Sequence, residues 1–242
     1  MSSQYHSNPR KLTILAGICY LILMIAGPIG LMYMPEQIVT AGDATQTAQN
    51  LRTNMGVFHL GLVAQITIIF TEIVVTALLY ILLKPTSAAT ALMATFARLL
   101  MTAVMATNVM ALLMMAEAAS GAAYLTAFSA AQLDSLVLFF FQFHNAGTIT
   151  WQLLFAVHLF LLGILVYRSG YLPRFLGLAL IIGSPSYALD SFGQIFGLMD
   201  FSAYSLASNV LLGASAIGEV GMGAWLLFKG VNLSKWQIQN VT

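Results

Sequence analysis

Long apolar runs separated by short polar intervals dominate the chain. A helix needs about 20 mainly apolar residues to cross a ~30 Å hydrocarbon layer. On that measure the pattern predicts six spans: Leu12–Met34, Val57–Leu83, Ala89–Ala116, Thr148–Tyr167, Leu172–Leu198 and Ser205–Phe228. The first run is longer than a signal-peptide core and no small-x-small cleavage site follows it, which predicts a retained span. One stretch fits poorly. Between Gly121 and Gly147 the apolar core Leu136–Phe141 is short and runs straight into His144-Asn145. Six residues of helix rise only about 9 Å. An amphipathic helix lying at the interface from near Asp134 is the reading preferred here, with one long tilted fourth helix as the alternative. In the interval Pro35–Gly56, Asp43 is placed to cap a short outer helix from about Ala44 to Asn54.

Composition confirms the class. Hydrophobic residues make up 60% of the 242 and charged residues 7%, where a soluble domain carries about 25% charge. A soluble enzyme is excluded. A net charge of +1 supplies no basic face for nucleic acid. Cys19 has no partner for a disulfide, and the apolar content is too high for disorder. The fold class is all-α: a polytopic membrane helix bundle with short interfacial helices on its periplasmic side.

Charge sets the expected orientation. With six spans, Arg10, Lys11, Lys84, Arg168, Arg174, Lys229 and Lys235 share a face, leaving Arg52 opposite with Glu36, Asp43, Asp134 and Asp200. The positive-inside rule makes the basic face cytoplasmic. Residues 1–11 then form a cytoplasmic N-terminus, 12–229 the six-span domain and 230–242 a cytoplasmic tail.

Candidate chemistry lies in the ionisable groups inside the spans, each of which needs a partner, a cavity or neutralisation. From the basic end, Glu72 lies about 18 Å deep, Glu219 and His158 about 15 Å, and Arg98 about 14 Å. Four helices thus contribute to one mid-membrane layer. Asp190 lies nearer the outer face, at about 24 Å, in the same half as Asn108, Gln152 and Gln194. Pro185, in Gly183-Ser184-Pro185-Ser186, predicts a kink and a freed carbonyl below Asp190.

Several chemistries compete for these residues. The layer reads as an internal ion-pair network, or as a proton or small-solute site built on Glu72, Arg98, His158 and Glu219, with Asp190 and Asn108 as further candidates. The fixed charge of Arg98 suits an anion or carboxylate better than a cation. No metal is called for; His158, Glu72 and Glu219 offer a ligand set for zinc only in principle, because no ligand spacing occurs on one helix. Haem would require His59 to pair with His144, and leaves His158 without a histidine partner. A Ser-His-Asp arrangement from Ser186 or Ser191, His158 and Asp190 lacks a nucleophile elbow. The residues point away from an enzyme and to no cofactor, with an intramembrane metal-dependent enzyme as the alternative. Expected partners are the lipid bilayer, and a homo-oligomer or a membrane complex in which the chain is an accessory subunit.

The outer Gly42-Asp43-Ala44, the stretch Glu72–Tyr80 and Phe96-Ala97-Arg98-Leu99 resemble a bacterial membrane family known as domain of unknown function 4386. So do His158-Leu159 through Gly163, Tyr167-Arg168-Ser169-Gly170-Tyr171-Leu172-Pro173-Arg174, Asp190-Ser191, Gly218-Glu219 and Trp225-Leu226-Leu227 with Lys229-Gly230. Gln65, where relatives are expected to be acidic, and Ser184-Pro185-Ser186, in a usually glycine-rich segment, depart from the pattern. The resemblance implies a six-span fold and a bacterial inner-membrane location, and no established reaction.

Overall fold

A computed structural model describes residues 8–241 of the chain. Residues 1–7 of the expected N-terminal segment, and Thr242 of the tail, lie outside the described residues. The helices are α1 (Pro9–Gly27), α2 (Met34–Ile38), α3 (Ala44–Thr53), α4 (Met55–Leu83), α5 (Ala88–Ala119), α6 (Ala130–Ser169), α7 (Arg174–Gly183), α8 (Pro185–Phe196), α9 (Ser202–Phe228) and α10 (Leu233–Val241). No strand occurs among the described residues. Among the described residues, six helical stretches are long and apolar enough to cross a membrane: Pro9–Ile38, Met55–Leu83, Ala88–Ala119, Ala130–Ser169, Arg174–Phe196 and Ser202–Phe228. The protein is a multi-pass membrane helix bundle.

Contacts divide the described residues into two compact units, residues 8–22, 71–101 and 152–241 in one, 23–70 and 102–151 in the other. In the second unit, Met34, Ile38, Leu51, Phe58, Leu112 and Val137 form the apolar core. Asp43 caps α3 by accepting from the Gln46 N–H at 2.8 Å, as the sequence predicts. Pro28 opens a π-helical turn, Pro28–Tyr33, between α1 and α2. Gln65 Nε2 donates to the Gly30 carbonyl in that turn at 3.0 Å. A neutral donor is what a carbonyl of an irregular turn requires inside a membrane.

The fourth span corrects the preferred sequence reading. Residues 134–147 are not an interfacial helix; they are the first part of α6, a continuous helix of 40 residues and about 60 Å. Its start is set by a capping box: Gln132 N–H donates to Ser129 Oγ at 3.3 Å, and Ser129 N–H to Gln132 Oε1 at 2.8 Å. The polar residues that argued for an interface are packed against α5. His144 is buried with Nδ1 3.3 Å from the Asn108 carbonyl. A Cβ on Gly147 would lie only 1.7 Å from Asn108 Oδ1, so glycine is what lets the asparagine seat.

In the first unit, α1, α7 and α9 approach closely through glycines. A Cβ on Gly17 would meet the Leu227 backbone at 2.5 Å, and one on Gly183 the Ser215 backbone at 2.3 Å. A break in the helix falls where a kink is predicted at Pro185: α7 ends at Gly183 and α8 starts at Pro185. The carbonyl that Pro185 cannot serve, that of Ile181, accepts instead from Ser184 Oγ at 3.0 Å. The turn before α7 is as expected, with Gly170 at φ +69. Tyr171 fills it, donating to the Leu82 carbonyl and sharing a hydrogen bond with Thr86, both at 2.8 Å.

Burial pushes the Tyr171 phenol up to about 12, partly offset by Thr86. A raised phenol keeps its full stabilisation below the unfolded value of about 10. Stability should therefore fall as pH rises from about 10 to 12, a slope that Tyr171→Phe removes; thermal melts across that range check it. Gly147→Ala should destabilise by about 1–3 kcal/mol through overpacking. Gly213→Ala, where a Cβ meets nothing within 4 Å, should stay within about 0.5 kcal/mol of wild type in the same melts.

Candidate functional site

An arginine in hydrocarbon cannot shed its charge, so the surrounding helices must answer it. Arg98 on α5 is 2% exposed. Its Nε donates to Glu72 Oε2 on α4 at 2.5 Å, and its Nη1 meets His158 Nε2 on α6 at 2.8 Å. His158 Nδ1 is 2.8 Å from the Ala94 carbonyl. A carbonyl only accepts and a guanidinium only donates, so the histidine carries its proton on Nδ1 and is neutral. The guanidinium also lies 5.9 Å from the Tyr20 ring on α1 and 5.8 Å from the Phe155 ring on α6. Three of the four residues expected at one depth therefore meet directly.

The fourth does not join the ion pair. Glu219 on α9 is half-buried, and its Oε1 accepts from Tyr187 Oη on α8 and Ser215 Oγ on α9, both at 2.9 Å. Ser215 is one turn before Glu219, a relation readable from the sequence. Phe155 stands between the two groups, under Arg98 on one side and edge-on to Tyr187 at 4.9 Å on the other. Tyr20, Phe155, Tyr187 and Ser215 were not anticipated. Tyr20 carried a signal, since a tyrosine deep inside a span seeks a polar partner rather than the interface. Gly223 makes its room: a Cβ there would lie 2.6 Å from Tyr20 Cβ.

The remaining candidates lie elsewhere. Asp190 accepts from Gln194 Nε2 at 2.8 Å on α8. Ser191 Oγ is bonded to Gln152 Oε1 at 3.1 Å and to the Tyr187 carbonyl at 2.9 Å. Because both His158 nitrogens are engaged, no Ser-His-Asp arrangement forms. Asn108 belongs to the other unit, beside His144 and Gly147; its Oδ1 is buried without a hydrogen bond among the described residues. His59 is exposed, while His144 is buried at the Asn108 carbonyl. Among the described residues, no group of three or more His, Cys, Asp or Glu is arranged to hold a metal ion. Glu72 and His158 turn to Arg98 and Glu219 to two hydroxyls, so they do not make the ligand set that zinc would need.

The network rests on residues 72, 98, 158 and 219, all inside residues 15–230, which match the family described as domain of unknown function (DUF4386). The chain belongs to that family. It is also 41% identical over 81 residues to an uncharacterized protein of Archaeoglobus fulgidus. That match covers 34% of this chain and 44% of the relative, so the chain matches less than half of the relative's length. Similarity is thus not confined to bacteria. No solved structure matches.

Removing one partner of a buried pair strands the other charge. Glu72→Gln should cost about 3–5 kcal/mol in thermal unfolding in detergent. The double variant Arg98→Met with Glu72→Leu should cost clearly less than the sum of its single changes. Equal additivity would mean the two side chains do not act as a pair.

Proposed function

We propose that this integral membrane protein handles a proton at a polar intramembrane site, with Glu219 as the exchanging group. The Glu72–Arg98–His158 network is its fixed electrostatic frame. The observation that carries this reading is the partnering of Glu219: two neutral hydroxyls hold one oxygen, and among the described residues no cation forms an ion pair with it. A carboxyl so held can keep a proton or release it, and a hydroxyl donor is a group through which proton relays run. Arg98, fixed by Glu72 and His158, stays charged throughout. Asp190 and Ser191, on the same helix as Tyr187, provide the polar approach, and Asn108 serves packing.

A small solute in place of the proton is a variant of the same reading. A structural role, with the chain as an accessory subunit or homo-oligomer, is the second reading; the close engagement of Arg98 favours it. In that case Arg98→Ala abolishes assembly with a partner and Glu219→Gln has no effect.

The location we propose is a cell inner membrane with both termini cytoplasmic. Support comes from the gathering of basic residues at the end where α1 begins and α9 finishes. Arg10 Nη1 donates to the Lys229 carbonyl at 2.5 Å.

Proteoliposomes carrying a trapped pH indicator and a potassium diffusion potential provide the test. Wild type should acidify the lumen at least about tenfold faster than Glu219→Gln, the size of effect that losing a proton-transfer group produces. Equal rates in wild type, variant and empty vesicles would defeat the proton reading.

A further inference from the structure

We propose that the basic end of the first unit is a binding surface for anionic phospholipid, with α10 lying along it as an interfacial helix. This inference is independent of what Glu219 does. The surface is built rather than scattered, because hydrogen bonds draw its parts together. Arg10 bonds the Phe228 and Lys229 carbonyls that end α9. Trp236 Nε1 on α10 donates to the Leu82 carbonyl at 2.9 Å, beside the Tyr171 hydroxyl on the same oxygen. Leu82 is in the last turn of α4, where carbonyls lack helical partners. Asn232 N–H donates to the Tyr171 carbonyl at 3.0 Å, and Gln239 Nε2 to the Ser169 carbonyl at 3.0 Å. The ends of α4 and α6 and the turn before α7 are thereby joined at one short helix, while Arg10 of α1 holds the end of α9.

Charge and apolar surface at this end both point to lipid. Arg168, Arg174, Lys229 and Lys235 are exposed, and none forms an ion pair among the described residues. Beside the cations, Phe228 is 71% exposed, and on α10 Ile238 is 67% exposed while Trp236 is buried. Trp236 and Ile238 are two residues apart, so they lie on nearly opposite faces of the helix. One face of α10 docks and the other offers an aliphatic side chain outward. One of the cations, Arg174, rests on the Tyr167 ring at 5.8 Å. Exposed cations without a carboxylate partner among the described residues, beside outward-facing apolar residues at the ends of membrane spans, match a phosphate headgroup with its acyl chains. An acidic protein would satisfy the cations alone.

The test uses the full chain purified in mild detergent. Its co-purified lipid should be enriched in phosphatidylglycerol over phosphatidylethanolamine relative to the source membrane. Added phosphatidylglycerol should raise the thermal midpoint where phosphatidylcholine does not. In the variant Arg168→Gln, Arg174→Gln, Lys229→Gln, Lys235→Gln, phosphatidylglycerol retention should fall about tenfold or more. Unchanged retention in a monodisperse quadruple variant would overturn the proposal. So would co-purified lipid of the same composition as the membrane, a measurement that needs no variant. Equal stabilisation by an acidic peptide and by phosphatidylglycerol would replace lipid with a protein partner.

Discussion

A guanidinium buried in the middle of a membrane bundle is the constraint around which the first unit is arranged. Arg98 keeps its charge, and an uncompensated charge at that depth costs several kcal/mol. Glu72 on α4, His158 on α6 and Tyr20 on α1 surround it, so one side chain on α5 fixes the rotation and height of three neighbours. Apolar packing alone would not do this, because lipid tails are as good a solvent for leucine as another helix is. The neutral histidine is part of the solution: it accepts from Arg98 without adding a second positive charge.

The same economy governs the backbone. Where proline interrupts a helix, a nearby polar side chain makes good the loss: Ser184 serves the Ile181 carbonyl, and Gln65 serves Gly30 in the π-helical turn. Both have local work in which no ionisable group is needed. Where helices touch, glycine removes the Cβ that would collide with a neighbouring backbone, as at Gly17 and Gly183.

Much of this was legible in the sequence. Apolar run length defined the spans, Asp43 marked its own helix start, and Gly170 marked the turn. Counting residues from the basic ends brought Glu72, Arg98 and His158 to one depth. Depth says nothing of rotation, however, and rotation sent Glu219 to Tyr187 and Ser215 instead of Arg98. The start of α6 was misread because hydropathy sees His144 as a boundary, whereas its cost is met by a carbonyl of α5. The Ser129–Gln132 capping box, visible in the sequence, was the overlooked sign. The docking of α10 depends on carbonyls at the ends of distant helices, which no local pattern reveals.

The contact between the two ends of the chain has a consequence for biogenesis. Helix α1 leaves the ribosome well before α9, yet Gly17 and Tyr20 lie against Leu227 and Gly223, and Arg10 reaches the final carbonyls of α9. Contacts separated by more than two hundred residues cannot form until α9 has been synthesised. Until then α1 must wait in the membrane with its close-packing face uncovered, and the arrival of α9 covers it.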